Sequence, residues 1–270
     1  MKNHNYLKLI VLLPFSLLLA MTTVRAETAA YRLAYVGDQQ HSAFPGASQG
    51  LDEANLQGQF LNRQYTLTPI ATDNALSANY GDYIAVVVAA DRDTYLELAA
   101  KLPHMPIFNV TLEDDDLRTA CLPNTLHVYP SRQMKADAVA QWLKVHPEAQ
   151  VSAQTWHPDF VKFAARDLNK RFRKAHDTPM DDAAWAGWAA VKMSSDTIVR
   201  ENITTPEKLL AYLKTELLLD GQMGIEMNFR ETGQLRQPLL LIENGKIAGE
   251  APVRGVSNDI DSLGNIGCAK

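Results

Sequence analysis

A continuous run of apolar, largely β-branched residues at positions 83–88 restricts the possible folds of this chain more than any other stretch. Such a run is typical of a strand that is covered on both faces, as in a parallel sheet. Amphipathic patterns typical of helices precede and follow it, at residues 45–60 and 91–102. Because buried strands alternate with helices, the pattern predicts a doubly wound parallel α/β sheet with right-handed crossovers.

The same periodicities continue along the chain. Further strands are predicted at residues 31–36, 65–70, 106–110, 126–129 and 150–154. Further helices are predicted at residues 131–145, 159–175, 181–199 and 205–218. Strands at residues 225–229, 238–243 and 246–248 would form a C-terminal β-meander, since Asn244-Gly245 between two apolar runs is a strong hairpin signal.

The N-terminus has the pattern of a secretory signal peptide. Lys2 and Lys8 give it a basic start, residues 7–21 are almost wholly apolar, and small residues occupy the cleavage region at 24–26. The apolar run is about 15 residues, whereas a membrane-spanning helix needs about 20. The pattern predicts that residues 1–26 are removed on export, that the protein lies in the periplasm, and that the exported chain is not embedded in a membrane.

The charge balance bears on the class of partner. Acidic residues outnumber basic ones by 31 to 26, and the formal net charge is −5. Binding to nucleic acid requires a basic surface that neutralises phosphates. The composition therefore argues against a nucleic-acid partner and suits an exported soluble protein.

The chain has two cysteines, Cys121 and Cys268. Exported proteins with two cysteines most often pair them, because their compartment is oxidising. A disulfide between these residues would join the C-terminus to the middle of the chain. Two free thiols, or one reactive cysteine, remain the alternative.

Polar and small residues follow three of the predicted strands. In open parallel sheets, ligands bind beyond the carboxyl ends of the strands. This rule selects the strand-end segments 38–42, 90–92 and 109–111, and within them the candidate ligand-binding residues Asp38, Gln39, Ala90, Asp91, Asn109 and Thr111. Helix caps and turns use the same residue types, so a purely structural role remains open for each.

Two short motifs indicate other chemistry. Residues 46–50 match the G-x-S-x-G pattern of a serine hydrolase with Ser48 as nucleophile, and His127 or His157 would then be its partner. That motif requires a strand leading directly into a sharp turn, whereas the predicted strand ends about ten residues earlier. The acidic run at 113–116 lacks the spaced ligands of a calcium loop, so we expect a solvated loop, with no metal and no cofactor.

The residues resemble a known family in several blocks. Segments 32–37 and 50–55 look like the opening of type I periplasmic substrate-binding proteins of ABC transporters, the branched-chain amino-acid-binding class. Residues 227–242 are similar to the last hairpin of that family. A narrower resemblance, to the branch associated with PQQ-dependent alcohol dehydrogenase systems, rests on residues 108–110, 115–118, 121, 130–132, 156–158, 233–238 and 263–268. That branch also has cysteines at the positions of Cys121 and Cys268, and the family often has an aromatic residue at the cleft near the position of Trp185.

The resemblance implies a two-lobed fold in which the second lobe is reduced. About two further βα units would stand between the helix at 131–145 and Trp156, where this chain has a short segment. We therefore expect a type I periplasmic-binding-protein fold with one full lobe, at 27–131 and 157–218. The reduced second lobe and the C-terminal tail would occupy 132–156 and 219–270, including the β-meander.

The function implied by the resemblance is solute binding without catalysis. The partners would be a small-molecule solute and the permease of an ABC importer linked to PQQ-dependent alcohol oxidation. The alternative is a docking or assembly factor for a periplasmic alcohol dehydrogenase or cytochrome that has lost solute binding. A core position for Trp185, stacked with Trp156 and Trp188, is the alternative to its role at the cleft.

Overall fold

The computed structural model describes residues 28–162, 164–264 and 267–269, so the predicted signal peptide lies outside the described residues. Five parallel strands form the main sheet in the order β2-β1-β3-β4-β5. They are β1 (Ala29–Gly37), β2 (Arg63–Ile70), β3 (Ala85–Ala89), β4 (Ile107–Asn109) and β5 (Thr125–His127). The parallel α/β fold predicted from the sequence is confirmed.

Helices cover both faces of this sheet, because its central strands are apolar on both sides. Along β1, Leu33 and Tyr35 belong to one core cluster, and Ala34 and Val36 belong to another. The first cluster is closed by α1 (Ala43–Gly58), α5 (Ala165–His176), α6 (Asp182–Glu201) and α7 (Pro206–Thr215). The second is closed by α2 (Arg92–Lys101) and by α3 (Asp115–Thr119).

The helices α1 and α6 cross at unusually short range. A Cβ at Gly46 would lie 1.9 Å from the Ala184 carbonyl oxygen, and one at Gly187 would lie 2.3 Å from that of Ala43. Only glycine fits at these two positions. Gly46 therefore serves the packing of two helices.

A second, antiparallel sheet has the strand order β6-β7-β8. Its strands are β6 (Val151–Gln154), β7 (Leu239–Glu243) and β8 (Lys246–Ala251), and α4 (Arg132–Val145) packs against one face. Asn244 and Gly245 both have positive φ, 50° and 73°, as the predicted two-residue hairpin turn requires. Ser131 caps α4, since its hydroxyl accepts a hydrogen bond from the backbone N–H of Met134.

Three predicted elements were wrong in extent or type. The helix predicted from residue 159 begins at Ala165, because the buried side chain of Asn169 donates to the carbonyls of His157 and Phe160 and holds that segment out of the helix. The strand predicted at 225–229 makes only isolated bridges, Leu219 with Met227 and Phe229 with Leu235. Part of the expected acidic loop forms α3.

Residues 219–237, which we predicted to lie in the second lobe, contact the five-stranded sheet. The backbone N–H of His127 donates to the Gly233 carbonyl, at 2.7 Å, and the N–H of Leu235 donates to the His127 carbonyl, at 3.0 Å. Met227 and Phe229 join the first core cluster. This segment therefore extends the β5 edge of the main sheet.

The predicted disulfide between Cys121 and Cys268 is confirmed, with 5.6 Å between the two Cα atoms. The backbone N–H of Ala269 donates to the carbonyl of Thr119, at 2.8 Å. The C-terminal tail is thereby attached to α3. Among the described residues, no helix is long and apolar enough to cross a membrane.

Removing the disulfide is expected to destabilise the fold. It closes a loop of 147 residues, for which the chain-entropy relation gives an upper figure of about 5 kcal/mol. We expect the double variant Cys121→Ser/Cys268→Ser to lose about 2–5 kcal/mol of unfolding free energy in urea titration. Wild-type protein under reducing conditions serves as the comparison, and an unchanged midpoint in both would contradict a structural role for the bond.

Candidate functional site

The carboxyl ends of three neighbouring strands meet at one edge of the main sheet. Gly37 of β1 pairs with Ala89 of β3, and Val88 pairs with Asn109 of β4. This register brings the residues that follow them, Asp38, Ala90 and Thr111, into one row. The ends of β1 and β3 are tightly packed, since a Cβ at Gly37, where φ is +149°, would lie 2.4 Å from the Ala89 carbonyl oxygen.

Several of the predicted binding residues hold the strand-end loops in place. Asp91 caps α2, accepting from the backbone N–H and the hydroxyl of Thr94, and these hydrogen bonds lower its pKa. The buried side-chain oxygen of Asn109 accepts from the N–H groups of Thr111 and Leu112. Asp38 is exposed, and its carboxylate accepts from the N–H of Gln40. These hydrogen bonds are those of helix caps and turns. Ala90 and Thr111 are half-buried and remain partly accessible on the row.

Gln39, which follows Asp38 of this row in the chain, lines a cavity of about 430 Å³. The cavity is formed where α1 and α6 begin and α5 ends. Its polar wall consists of Gln39, Gln40, Ser42, Ser48, His176, Thr178 and Asp181. Burial lowers the pKa of His176, which favours the neutral imidazole, and the Nε2 atom of that ring has no hydrogen-bond partner within the described part of the chain. Phe44 and Phe172 supply apolar surface. The cavity offers neutral donors and acceptors, one carboxylate and two aromatic faces.

Trp185 is fully buried and presents no surface to this edge. Its ring stacks on that of Trp156 with centroids 6.1 Å apart, and its indole N–H donates to the Gly221 carbonyl at 3.0 Å. Trp188 instead donates its indole N–H to the carboxylate of Glu53. In this structure Trp185 is a core residue.

Ser48 lies in the second turn of α1, so the strand-turn-helix geometry of a hydrolase nucleophile is absent around it. It shares the cavity with His176, and the structure describes both residues, but the Nε2 atom of that ring accepts no hydrogen bond from Ser48. The two histidines proposed as partners lie elsewhere: His127 is fully buried at the end of β5, and His157 precedes α5.

A charged cluster beside the strand-end row was missed by the sequence reasoning. Tyr129 follows β5, Lys135 lies on α4, and Asp182 opens α6. The Lys135 ammonium lies 4.7 Å from the centroid of the Tyr129 ring and 3.1 Å from a carboxylate oxygen of Glu113. Applying the strand-end rule to β5 would have selected Tyr129. Lys135 follows Tyr129 by six residues but carries no sequence signal of its own, and Asp182 comes from a distant part of the chain.

The acidic run faces cationic groups of the protein. Asp116 pairs with Arg92 at 2.6 Å, and Glu113 pairs with Lys135. Asp115 accepts from the backbone N–H of Gln133 in the first turn of α4. In the described residues no group of histidine, cysteine and acidic side chains has the arrangement of a metal site. These carboxylates connect α2, α3 and α4.

Arg118 organises the loops behind the site. Its side chain is 1% exposed, and it donates to the carbonyls of Leu112, Asp114 and Tyr129, each at 2.8 Å, and to the side-chain oxygen of Gln234 at 2.9 Å. These groups belong to the β4 loop, the β5 end and the C-terminal segment. Burial lowers the pKa of Arg118 to about 10, so the guanidinium stays charged at neutral pH.

Replacing Arg118 is expected to be strongly destabilising. Arg118→Met removes four hydrogen bonds. The Asp114 carbonyl and the Gln234 side-chain oxygen lose the donor that Arg118 supplied, whereas the Leu112 and Tyr129 carbonyls each keep a second donor, from Asn109 and Gln234. We expect a cost of about 3 kcal/mol or more of unfolding free energy. Arg132→Met removes an exposed arginine next to the same loop and should change the unfolding free energy by less than about 0.5 kcal/mol. Urea unfolding of the two variants measures the difference, and similar losses in both would refute this role for Arg118.

Asp182 should make stability depend on pH. Burial raises its pKa to about 6, although the Trp156 N–H at 2.7 Å and the nearby Lys135 favour the carboxylate. The folded protein therefore holds this proton more tightly than the unfolded chain does. As pH rises through about 4 to 6 the proton is lost, and the free energy of unfolding falls. Asp182→Asn keeps an acceptor for Trp156 and removes that penalty.

We take the unfolding free energy of Asp182→Asn minus that of wild type. We expect this difference to be more positive at about pH 7.5 than at about pH 4. Urea titrations at both pH values measure this difference. Asp73→Asn, at an exposed aspartate, is the matched control. An Asp182→Asn difference that is the same at both pH values would contradict the raised pKa.

No protein-family model and no curated protein matches the chain. Solved structures do match it. A branched-chain amino-acid ABC transporter periplasmic ligand-binding protein from Burkholderia xenovorans aligns with a TM-score of 0.70 and 13% identity, over 87% of this chain and 94% of that chain. An ABC transporter substrate-binding protein from Desulfitobacterium hafniense, in complex with Leu, aligns with a TM-score of 0.68 and 13% identity over 81% and 99%.

A branched-chain amino-acid transporter substrate-binding protein from Streptococcus pneumoniae, in complex with isoleucine, aligns with a TM-score of 0.66 and 8% identity, over 82% and 98% of the two chains. At such identities the likeness extends to the fold alone. This chain has the fold of the type I periplasmic binding proteins.

Proposed function

We propose that this protein is a periplasmic solute-binding protein that holds a small polar solute at the carboxyl edge of its parallel sheet. The observation that carries the proposal is the cavity of about 430 Å³ that is lined by Gln39, two residues after the carboxyl end of β1, and by the start of α1. Parallel α/β sheets bind ligands at this edge, and the cavity falls within the usual size of small-molecule sites, about 300–1,000 Å³.

The cavity wall narrows the class of solute. The starts of α1 and α6 line it, and helix N-termini attract anionic groups, whereas Asp181 supplies a negative charge. A solute with both a carboxylate and an ammonium group fits this combination, and the Phe44 ring can contact an apolar side chain. Amino acids are therefore the first candidates, in line with the leucine and isoleucine complexes of two proteins of the same fold.

The partners and the affinity are further parts of the proposal. The permease of an ABC importer would receive the solute, and the link to a PQQ-dependent alcohol dehydrogenase or cytochrome rests on the sequence blocks described above. A second lobe reduced to the three-stranded sheet with α4 encloses less of the ligand surface. Affinity is then lower, because enclosure of the ligand supplies much of it. We expect dissociation constants weaker than low micromolar, and tighter binding in calorimetry would contradict the reduced-lobe proposal.

A thermal-shift screen of the oxidised protein against amino acids, short alcohols, organic acids and PQQ tests the proposal. A ligand that binds the native state raises the melting temperature by mass action, with about 2.7 kcal/mol of stabilisation at 100 times its dissociation constant. A shift from one class identifies the solute. A flat screen together with co-purification of a dehydrogenase or cytochrome would favour the docking factor instead.

Gln39→Ala tests the site itself. The Gln39 side chain is exposed and makes no hydrogen bond to other described residues, so the melting temperature without solute should not change. The affinity for a solute found in the screen should fall about five- to tenfold, the usual effect of losing one hydrogen bond. Gln64→Ala, at an exposed glutamine near the start of β2, is the matched control for calorimetry. Equal affinity in both variants would contradict the proposal that this cavity is the solute site.

A further inference from the structure

Two neighbouring cavities lie away from the strand-end row. The first, of about 740 Å³, is bounded by α4, by β8 and by the segment before α5. The second, of about 530 Å³, runs along α5. Asp159 and Val161 line both, so the two cavities adjoin. Val161 is 51% exposed and stands between them.

One side of the first cavity is aromatic and aliphatic, and its rim carries the Lys162–Glu250 ion pair and Arg254. Trp142, Val145, Phe160 and Ile247 line it, and the Trp142 ring lies directly on β8, since a Cβ at Gly249 would meet that ring at 2.3 Å. The rings of Trp142 and His146 have centroids 4.1 Å apart. Such walls bind the apolar part of a ligand.

The second cavity is basic. Four cationic side chains line it, namely Arg166, Lys170, Arg173 and Lys174, and Asp159 is the one acidic residue in its lining. Their spacing of four, seven and eight residues places them on one face of α5. All four are exposed, and none has a salt-bridge partner within residues 28–162, 164–264 and 267–269. Arg171, in contrast, pairs with Glu53 at 3.0 Å.

The helix dipole accounts for only part of this cluster. Cations stabilise the last turn of a helix, where Arg173 and Lys174 lie, but they are unfavourable in the first turn. Arg166 lies in the first turn of α5. The four charges also run against the formal net charge of −5 for the whole chain. Local charge of this kind, next to a concave apolar wall, is complementary to an anion with an apolar body.

We propose that the two cavities form a second binding site for an organic anion with an apolar body. The apolar part lies against Trp142 and Ile247 in the first cavity, and the carboxylate faces Arg166 and Lys170 in the second. Val161 contacts the chain that joins the two parts. This site is separate from the Gln39 cavity and does not depend on solute binding there.

Titration calorimetry with three probes of the same shape tests the proposal. Phenylbutyrate is anionic, phenylbutyramide is neutral and phenylbutylamine is cationic. We expect phenylbutyrate to bind about tenfold more tightly than the amide at low salt, and to lose most of that preference at high salt. Its affinity should exceed that of the amine by a larger factor than that of the amide. No saturable binding of phenylbutyrate, or equal binding of the amide, would overturn the proposal.

Variants at exposed positions assign the two parts of the site. Arg166→Gln/Lys170→Gln should abolish the preference for the anion over the amide, whereas Val161→Ser should weaken both probes about equally. Lys170→Gln alone should weaken phenylbutyrate binding several-fold, and Lys208→Gln, at an exposed lysine on α7, should leave it unchanged. Equal effects of the two lysine substitutions would overturn the assignment.

Two further controls separate this site from the strand-end site and from a protein-docking surface. Gln39→Ala should not alter phenylbutyrate binding, so failure of the strand-end site and failure of this one can be told apart. Hexaglutamate tests whether the basic face instead receives an acidic protein segment. Binding of hexaglutamate that phenylbutyrate does not displace would overturn the small-anion proposal in favour of such a partner.

Discussion

The buried guanidinium of Arg118 holds the strand ends in their arrangement. A charge in the interior is tolerated only when its donors are satisfied, and Arg118 places its donors on three backbone carbonyls and on Gln234. Those acceptors come from the loop after β4, from the end of β5 and from the segment that extends the β5 edge. One side chain thus joins parts of the chain more than one hundred residues apart. The Cys121–Cys268 disulfide adds a covalent link at α3, the helix that carries Arg118.

The two sheets are connected through a continuous core. Leu240 and Ile242 of the antiparallel sheet belong to the same cluster as Trp156 and Trp185. The opposite face of that sheet packs with α4 in a smaller cluster that contains Met134 and Leu241. The central strand of this sheet, β7, is therefore buried on both faces, as its uninterrupted apolar run indicates.

Charge is distributed unevenly over this scaffold. The acidic residues of the loop after β4 face Arg92 and Lys135 and connect helices near the strand ends. The basic residues of one face of α5 have no such carboxylate partners among the described residues. The Gln39 cavity carries one carboxylate, that of Asp181, whereas the cavity along α5 carries four cationic side chains. The two proposed sites therefore differ in charge.

The local features of this structure could be predicted from the sequence, and so could one long-range link, the disulfide, because the chain has only two cysteines. Most other meetings of distant groups could not be predicted. Strand periodicity, the cap Ser131, the Asn244-Gly245 turn and the cysteine pair follow from short-range sterics, hydrogen bonding and redox chemistry. The tertiary fold alone buried Trp185, began α5 at Ala165 and brought Gln39 into one cavity with His176. The contacts of Trp185 and of the Gln39 cavity join residues far apart in the chain, and the start of α5 depends on the buried side chain of Asn169. All three depend on packing and desolvation, which local propensity does not encode.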